Sequence, residues 1–163
     1  MGIGGVESLK RCPLDWSRIV VPECVLTVPA GCGKEDVLTL LVESLARAGR
    51  LEEELVPMIV DELLQRERVG TTGLGRGLAL PHLRSRHVTD FLGAVGIASS
   101  GVEFHSLDGQ PTRLIILIVS PFTERQTHGE IMGRLATLLT DKTWQYSVQI
   151  PRSPEALFRF LGF

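Results

Sequence analysis

Arg66–Glu67–Arg68–Val69–Gly70–Thr71–Thr72–Gly73–Leu74–Gly75–Arg76–Gly77–Leu78–Ala79–Leu80–Pro81–His82 carries the chain from a helix end, through a glycine-rich loop, into a short strand that stops on a histidine. Leu78 and Leu80 flank Ala79 with the alternation of a half-buried strand. Pro81 has no N–H, so the ladder is expected to end there and to offer the His82 imidazole from a strand end. Gly70, Gly73, Gly75 and Gly77 permit a tight backbone with amides turned inward, and Thr71 and Thr72 add hydroxyl donors. That composition suits an anion beside a histidine. The same residues also admit a plainer account, in which glycines make turns, threonines cap them and His82 is a surface residue.

Upstream, a helix over about 52–66 opens with Glu52, Glu53 and Glu54 at its positive end and turns Leu55, Val56, Ile59, Val60, Leu63 and Leu64 inward. It delivers Arg66 to the loop, where the ordinary alternative is a solvated arginine complementing the helix dipole. Further back, Val25–Val28 reads as a strand. A helix over about 34–48 follows, with Val37, Leu40, Leu41, Leu45 and Ala48 on one face and Gly49 as its stop. Gly31–Cys32–Gly33–Lys34 imitates a nucleotide loop, but that motif needs glycine at position 28 and Ser or Thr at 35, where Val28 and Glu35 stand. It is rejected.

Downstream, a strand is expected over Leu92–Ala98, an extended piece over Val102–Phe104 and a turn at Asp108–Gly109. The unbroken apolar run Leu114–Val119 marks a central strand covered on both faces and closed by Pro121. Thr127-x-x-Glu130 reads as a capping box, which places His128 in the first turn of a helix that buries Ile131, Leu135, Leu138 and Leu139. A last helix starts at Ser153 and Pro154 and packs through Leu157, Phe158 and Leu161. Residues 1–18 form an N-terminal arm in which Leu14 and Trp16 are able to pack down, and 19–163 form one domain. Strands interleaved with helices, some joined by hairpin-length links, predict an α/β fold: a single domain with a mixed parallel/antiparallel sheet flanked by helices on both faces.

Composition narrows function by exclusion. With 163 residues, 44% hydrophobic and 22% charged, one domain with a real core is expected. A net charge of −2 without a Lys/Arg block removes the electrostatic basis for nucleic-acid or anionic-membrane binding. Arg76, Arg84 and Arg86 make only a local patch. No signal-peptide run or membrane-length segment occurs, so a cytoplasmic protein without membrane insertion is expected. Cys12, Cys24 and Cys32 are odd in number and lack a CxxC pair, and read as free thiols.

Three groups remain to carry chemistry: His82, His128 and Arg66. Roughly three quarters of an unperturbed imidazole is neutral at pH 7 and therefore nucleophilic. A second imidazole and a guanidinium beside it would stabilise a transferring phosphoryl charge. With Glu67, Leu74, Gly75, Leu78, Ala79, Leu80, Pro81 and His82 in their order and spacing, the chain from about Val20 to Leu161 resembles the enzyme IIA component of the bacterial phosphoenolpyruvate-dependent sugar phosphotransferase system. The type resembled is the fructose/mannitol one that includes nitrogen-regulatory relatives.

The resemblance implies that His82 is the phosphorylated histidine, His128 the second active-site histidine and Arg66 the phosphate-binding arginine; the loop's own composition adds Thr71 and Thr72 as expected phosphate donors. It implies an HPr-like phosphocarrier protein as donor and an enzyme IIB component or a regulated target as recipient. It implies no cofactor or metal, and a monomer or weak homodimer. The nitrogen-regulatory subtype is preferred over a dedicated sugar-transport subunit. Leu83 departs from the small residue usual after the histidine, so crowding of the partner is expected there. Two other classes compete. A zinc hydrolase on His82, His105 and His128 lacks HExxH or comparable ligand spacing. A non-catalytic regulatory module of the same fold would act by contact alone. His87 and His105 read as exposed loop residues.

Overall fold

The computed structural model describes residues 16–140. The elements run α1 (Trp16–Ile19), β1 (Val20–Thr27), α2 (Lys34–Arg47), a 3₁₀ turn (Glu53–Leu55), α3 (Val56–Val69), β2 (Gly73–Gly75), β3 (Leu78–Ala79), β4 (His82–Ser85), β5 (Leu92–Val102), β6 (Thr112–Pro121) and α4 (Arg125–Thr140). Strand order in the sheet is β1-β5-β6-β3-β2, with β4 also on β6. β5 and β6 pair antiparallel, β1 runs parallel to β5, and β3 and β4 run parallel to β6. The mixed sheet expected from the sequence is the one observed.

β6 explains the two-layer core. Leu114, Ile116 and Ile118 point to one side, where they meet Trp16, Ile19, Val25, Leu78, Leu80, Ile131, Leu135 and Leu139. Ile115, Leu117 and Val119 point to the other, against Val37, Leu38, Leu41, Val42, Leu45, Ile59 and Leu63. All six β6 side chains are buried, and burying a Leu or Ile fully contributes roughly 1.5–3 kcal/mol. An uninterrupted apolar strand is stable only with helices on both sides: α2 and α3 on one, α1 and α4 on the other. Trp16 is buried here, so the last residues of the expected arm belong to the packed body.

Pro81 does not end the pairing. Leu78 lies opposite Leu114, Ala79 opposite Ile115 and His82 opposite Ile118, a constant offset of 36 residues (114 − 78 and 118 − 82). The Ile118 N–H donates to the Pro81 carbonyl at 3.1 Å, so the proline serves the ladder as an acceptor. β6 is the one strand that β4 pairs with among those described, so a missing donor on its outer side breaks no ladder bond. His82 therefore opens a strand instead of terminating one.

Other boundaries shift for physical reasons. The helix expected from residue 52 begins as the Glu53–Leu55 3₁₀ turn and becomes α-helical at Val56, with Pro57 in its first turn, then runs past Arg66 to Val69. The capping box at Thr127 is not formed. A turn in which Glu124 N–H donates to Pro121 O (3.1 Å) launches α4 one turn earlier, and the His128 N–H already donates to Glu124 O (2.9 Å). Glu130 accepts from Gln126 at 3.2 Å instead. Leu14, the side chain of Leu138 and the helix expected from Ser153 lie outside the described residues. Among those residues no helix is long and apolar enough to cross a membrane. Cys24 and Cys32 are free thiols.

Candidate functional site

His82 takes its orientation from its own backbone. Its Nδ1 lies 2.9 Å from the Leu80 carbonyl, and a carbonyl can only accept, so Nδ1 carries the ring proton. The unshared pair is left on Nε2. Parity along the chain puts His82 on the same sheet face as Leu78, Leu80 and Ile118, the face that α4 covers. Arg66, in the last turn of α3, reaches round the sheet edge to place Nη2 3.5 Å from that Nε2, while its Nη1 donates to Gly70 O at 3.1 Å. Burial first, and then the Arg66 charge, push the His82 pKa below the ordinary imidazole value, against the opposing Leu80 bond and Glu67 charge. His82 is thus a neutral base with a directed lone pair at pH 7.

His128 stands above it on α4, with ring centroids 5.7 Å apart and planes tilted by 46°. Its Nδ1 makes a short hydrogen bond with the Ser120 hydroxyl, which also lies 3.4 Å from the Leu83 carbonyl. Ser120 follows Leu114, Ile116 and Ile118 on the α4 side of β6 and is fully buried. Burial, then the charges of His82 and Arg84, hold the His128 pKa down at about 4. Two imidazoles and one guanidinium therefore meet, as the three residues singled out in the sequence required.

The glycine-rich stretch forms a hairpin. β2 and β3 pair antiparallel through Arg76–Gly77, whose φ values of 54° and 80° are both left-handed, as a two-residue hairpin turn of the primed kind requires. Gly73 is needed because a Cβ there would collide with Ser106. The threonines point inward to protein. Thr71 donates its hydroxyl to Phe104 O and accepts from Gly73 N–H (3.1 Å), while Thr72 bonds Glu67 through both N–H and hydroxyl (2.8 Å each). Their hydroxyl protons go to Phe104 O and to Glu67 of α3, so they brace the loop against its neighbours, and Arg66 is the charged donor beside Nε2.

Glu67 is the anchor of that loop. Lys34 of α2 pairs with it at 2.9 Å and also stands 5.1 Å over the Phe104 ring. Burial alone would raise the Glu67 carboxyl, but the bonds from Thr72 and Lys34 outweigh it and lower the pKa. Leu83, expected to crowd a partner, packs instead against the cluster under α2 and α3, on the opposite sheet face from His82. Arg84 and Arg86 do face outward, 5.1 and 4.4 Å from the exposed Phe122 ring. His87 pairs with Glu62 at 3.3 Å and His105 with Glu103 at 3.7 Å, both exposed. Among the described residues no group of three or more His, Cys, Asp or Glu is placed to hold a metal ion.

Ser120 and the Leu80 carbonyl were not anticipated. Ser120 had a readable signal: it is the polar residue at the end of an apolar strand, on the parity of Leu114, Ile116 and Ile118, eight residues before a helix-borne histidine. The carbonyl had none, since every residue has one.

With this geometry in view, comparison with known proteins is informative. The family described as "Phosphoenolpyruvate-dependent sugar phosphotransferase system, EIIA 2" matches residues 19–162. A "Nitrogen regulatory protein" of Bradyrhizobium diazoefficiens is 29% identical over 144 residues, 88% of this chain and 92% of that protein. The "PTS system fructose-specific EIIABC component" of Bacillus subtilis is 37% identical over 106 residues, 65% of this chain but only 16% of that protein. Nitrogen regulatory protein IIA-Ntr from Neisseria meningitidis superposes with a TM-score of 0.78 at 28% identity, covering 90% of this chain and 98% of that one. IIA mannitol from Escherichia coli, at 22% identity and a TM-score of 0.69, shares the fold. A match over nearly the whole chain, on the fold and the residue pattern described above, makes this protein a member of the EIIA 2 family of the phosphoenolpyruvate-dependent sugar phosphotransferase system.

Proposed function

We propose that this EIIA protein carries a phosphoryl group on Nε2 of His82. The observation that carries the reading is the fixed proton on Nδ1, which leaves Nε2 as the ring's one nucleophilic atom, 3.5 Å from the Arg66 guanidinium. The donor is a phosphohistidine on an HPr-like phosphocarrier. The His82 Nε2 lone pair forms the new N–P bond as the donor's N–P bond breaks, and the donor imidazole keeps that electron pair. The imidazolium-like charge on His82 is spread toward the Leu80 carbonyl through Nδ1–H. Arg66 meets the charge on the transferring oxygens, where one charge pair about 4 Å apart gains up to ~4 kcal/mol at an effective dielectric near 20. His128 serves the same oxygens from above. Discharge to a nucleophile on a IIB component or regulated target reverses the step.

The proposed phosphoramidate is acid-labile and base-stable, because the group leaves when the ring protonates. Incubation with phosphoenolpyruvate, enzyme I and phosphocarrier, followed by intact mass measurement, should add one phosphoryl group that acid removes. Absence of that adduct, with the donor shown to be charged, rejects the carrier role.

A second reading has its own support: the nitrogen regulatory protein of Bradyrhizobium diazoefficiens aligns over 88% of this chain and 92% of itself, somewhat more than the 77% and 80% of a fructose-specific EIIA component from Haloferax volcanii, and the Bacillus subtilis fructose-specific protein is mostly other sequence. We therefore infer that the phosphorylation state of His82 reports to a regulated protein in preference to feeding a sugar transporter. Pull-down of a partner that prefers either the phosphorylated or the unphosphorylated chain, with no transfer to it, is the expected outcome; stoichiometric transfer to a IIB component points the other way.

A further inference from the structure

We propose that Ser120 is a positioning residue that fixes the tautomer of His128, donating its hydroxyl proton to Nδ1 so that the neutral ring carries its own proton on Nε2. The inference deepens the carrier reading and, for its effect on transfer, rests on it.

Four observations lead there. Ser120 is fully buried, so its hydroxyl must find partners within the protein. It has one proton and two partners within reach, the Leu83 carbonyl, which can only accept, and the His128 Nδ1, which accepts or donates according to the ring's tautomer. The contact to Nδ1 is much the shorter of the two, tighter than an ordinary hydrogen bond, and the imidazole nitrogen is the closer group for the hydroxyl proton. The contact to Leu83 O, at 3.4 Å, sits at the outer limit of a hydrogen bond. Finally, the ring is neutral at pH 7, so it has a single proton to place, and the bond made by one ring nitrogen decides which nitrogen holds it.

The consequence is chemical. With the proton on Nδ1, the Nε2 edge would offer a lone pair to incoming phosphoryl oxygens, and two electron-rich groups would repel. With the proton on Nε2, the same edge is a hydrogen-bond donor that needs no positive charge. Burial and the Arg84 charge, which disfavour an imidazolium at His128, then cost nothing in function. Arg66 supplies the cation and His128 a neutral donor.

The test uses the full chain labelled with ¹⁵N at histidine, in long-range ¹H–¹⁵N correlation spectra at neutral pH, with the His128 signals identified by their loss in His128→Gln. The parent should show His128 protonated on Nε2. Ser120→Ala should move the population toward Nδ1–H and slow phosphoryl transfer to His82 several-fold. Ser120→Thr, which keeps the hydroxyl, should restore both. His82, tied to a backbone carbonyl, should keep its Nδ1–H tautomer in every variant and so serves as the internal check on folding. A parent His128 protonated on Nδ1, or a Ser120→Ala spectrum with the parent tautomer, overturns the proposal. A parent that takes no phosphoryl group while its His128 tautomer still follows Ser120 rejects the carrier reading and leaves the assignment of Ser120 supported.

Discussion

The two histidines of the site are neighbours 5.7 Å apart, yet they are held by opposite means. His82 is tethered to the chain two residues behind it, by a carbonyl that no substitution can remove. His128 is held by a serine hydroxyl on another element. One ring is oriented by the fold itself and the other by a single replaceable side chain. The difference suits the proposed division of labour: the atom that forms the bond is fixed by backbone, and the group that tunes charge around it is left adjustable.

The largest effect should come from breaking the backbone-held side of this comparison. His82→Ala is expected to abolish phosphoryl labelling while leaving thermal unfolding nearly unchanged, because the ring is only half-buried. Undiminished labelling in that variant would move the acceptor elsewhere.

Arg66→Lys comes next. The lysine keeps a charge but loses the fork that bonds Gly70 O and faces Nε2 together, and hydrogen bonds to charged groups are worth about 1.5–3 kcal/mol. Stopped-flow transfer should slow by roughly ten- to a hundredfold. A rate within twofold of the parent would leave the arginine a structural role only.

Leu83→Ala tests the opposite face. The sequence suggested that this leucine crowds the partner, so its removal should speed transfer with little change in stability. The packing of Leu83 against the cluster on the far face points the other way on both counts. A half-buried leucine lost from the cluster under α2 and α3 should destabilise by roughly 2 kcal/mol, at the low end of large-to-small core changes, and the transfer rate should stay flat. Chemical denaturation together with transfer kinetics separates the two accounts.

The last effect, spread over a pH range and reduced by solvent screening of a half-buried ring, is a pH dependence. His128 titrates near 4 in the folded chain and near the ordinary 6.5 when unfolded. Between those values the folded state binds fewer protons, so its stabilising contribution is present above about 6.5 and is lost as pH falls toward about 4. His82, also shifted downward, acts in the same direction. His128→Gln should flatten this part of the stability profile, read by urea midpoints at several pH values. An unchanged slope would mean that the ring is more hydrated than its surroundings suggest.

How much of this was legible beforehand depends on whether a residue's role is local or borrowed. The run Leu114–Val119 announced a strand covered on both faces because every side chain in it is apolar, and no neighbour could alter that. The stripe in α3 and the histidine after Pro81 were equally plain. Roles that depend on a distant acceptor were not. Thr71 and Thr72 carry hydroxyls suited to an anion, but Phe104 O and Glu67, brought in by folding, take their protons. Thr127 and Glu130 have the spacing of a capping box, but the turn after Pro121 starts the helix before them. Pro81 lacks a donor, as any proline does, yet its carbonyl keeps the ladder running because β6 happens to present the Ile118 N–H.

That unbroken register through Pro81 also sets an order of assembly. His82 is seated by a strand whose partner lies 36 residues later, and the helix bearing His128 follows that strand. Contacts of this span form late, because the loop they close must be ordered before they return any stabilisation. A chain still emerging from synthesis and ending before residue 112 has neither β6 nor α4. Its His82 is an ordinary flexible histidine, without a fixed tautomer, a shifted pKa or a companion ring. On the carrier role proposed above, the acceptor nitrogen would be set only by completion of the domain, and unfinished copies would compete poorly for the phosphoryl donor.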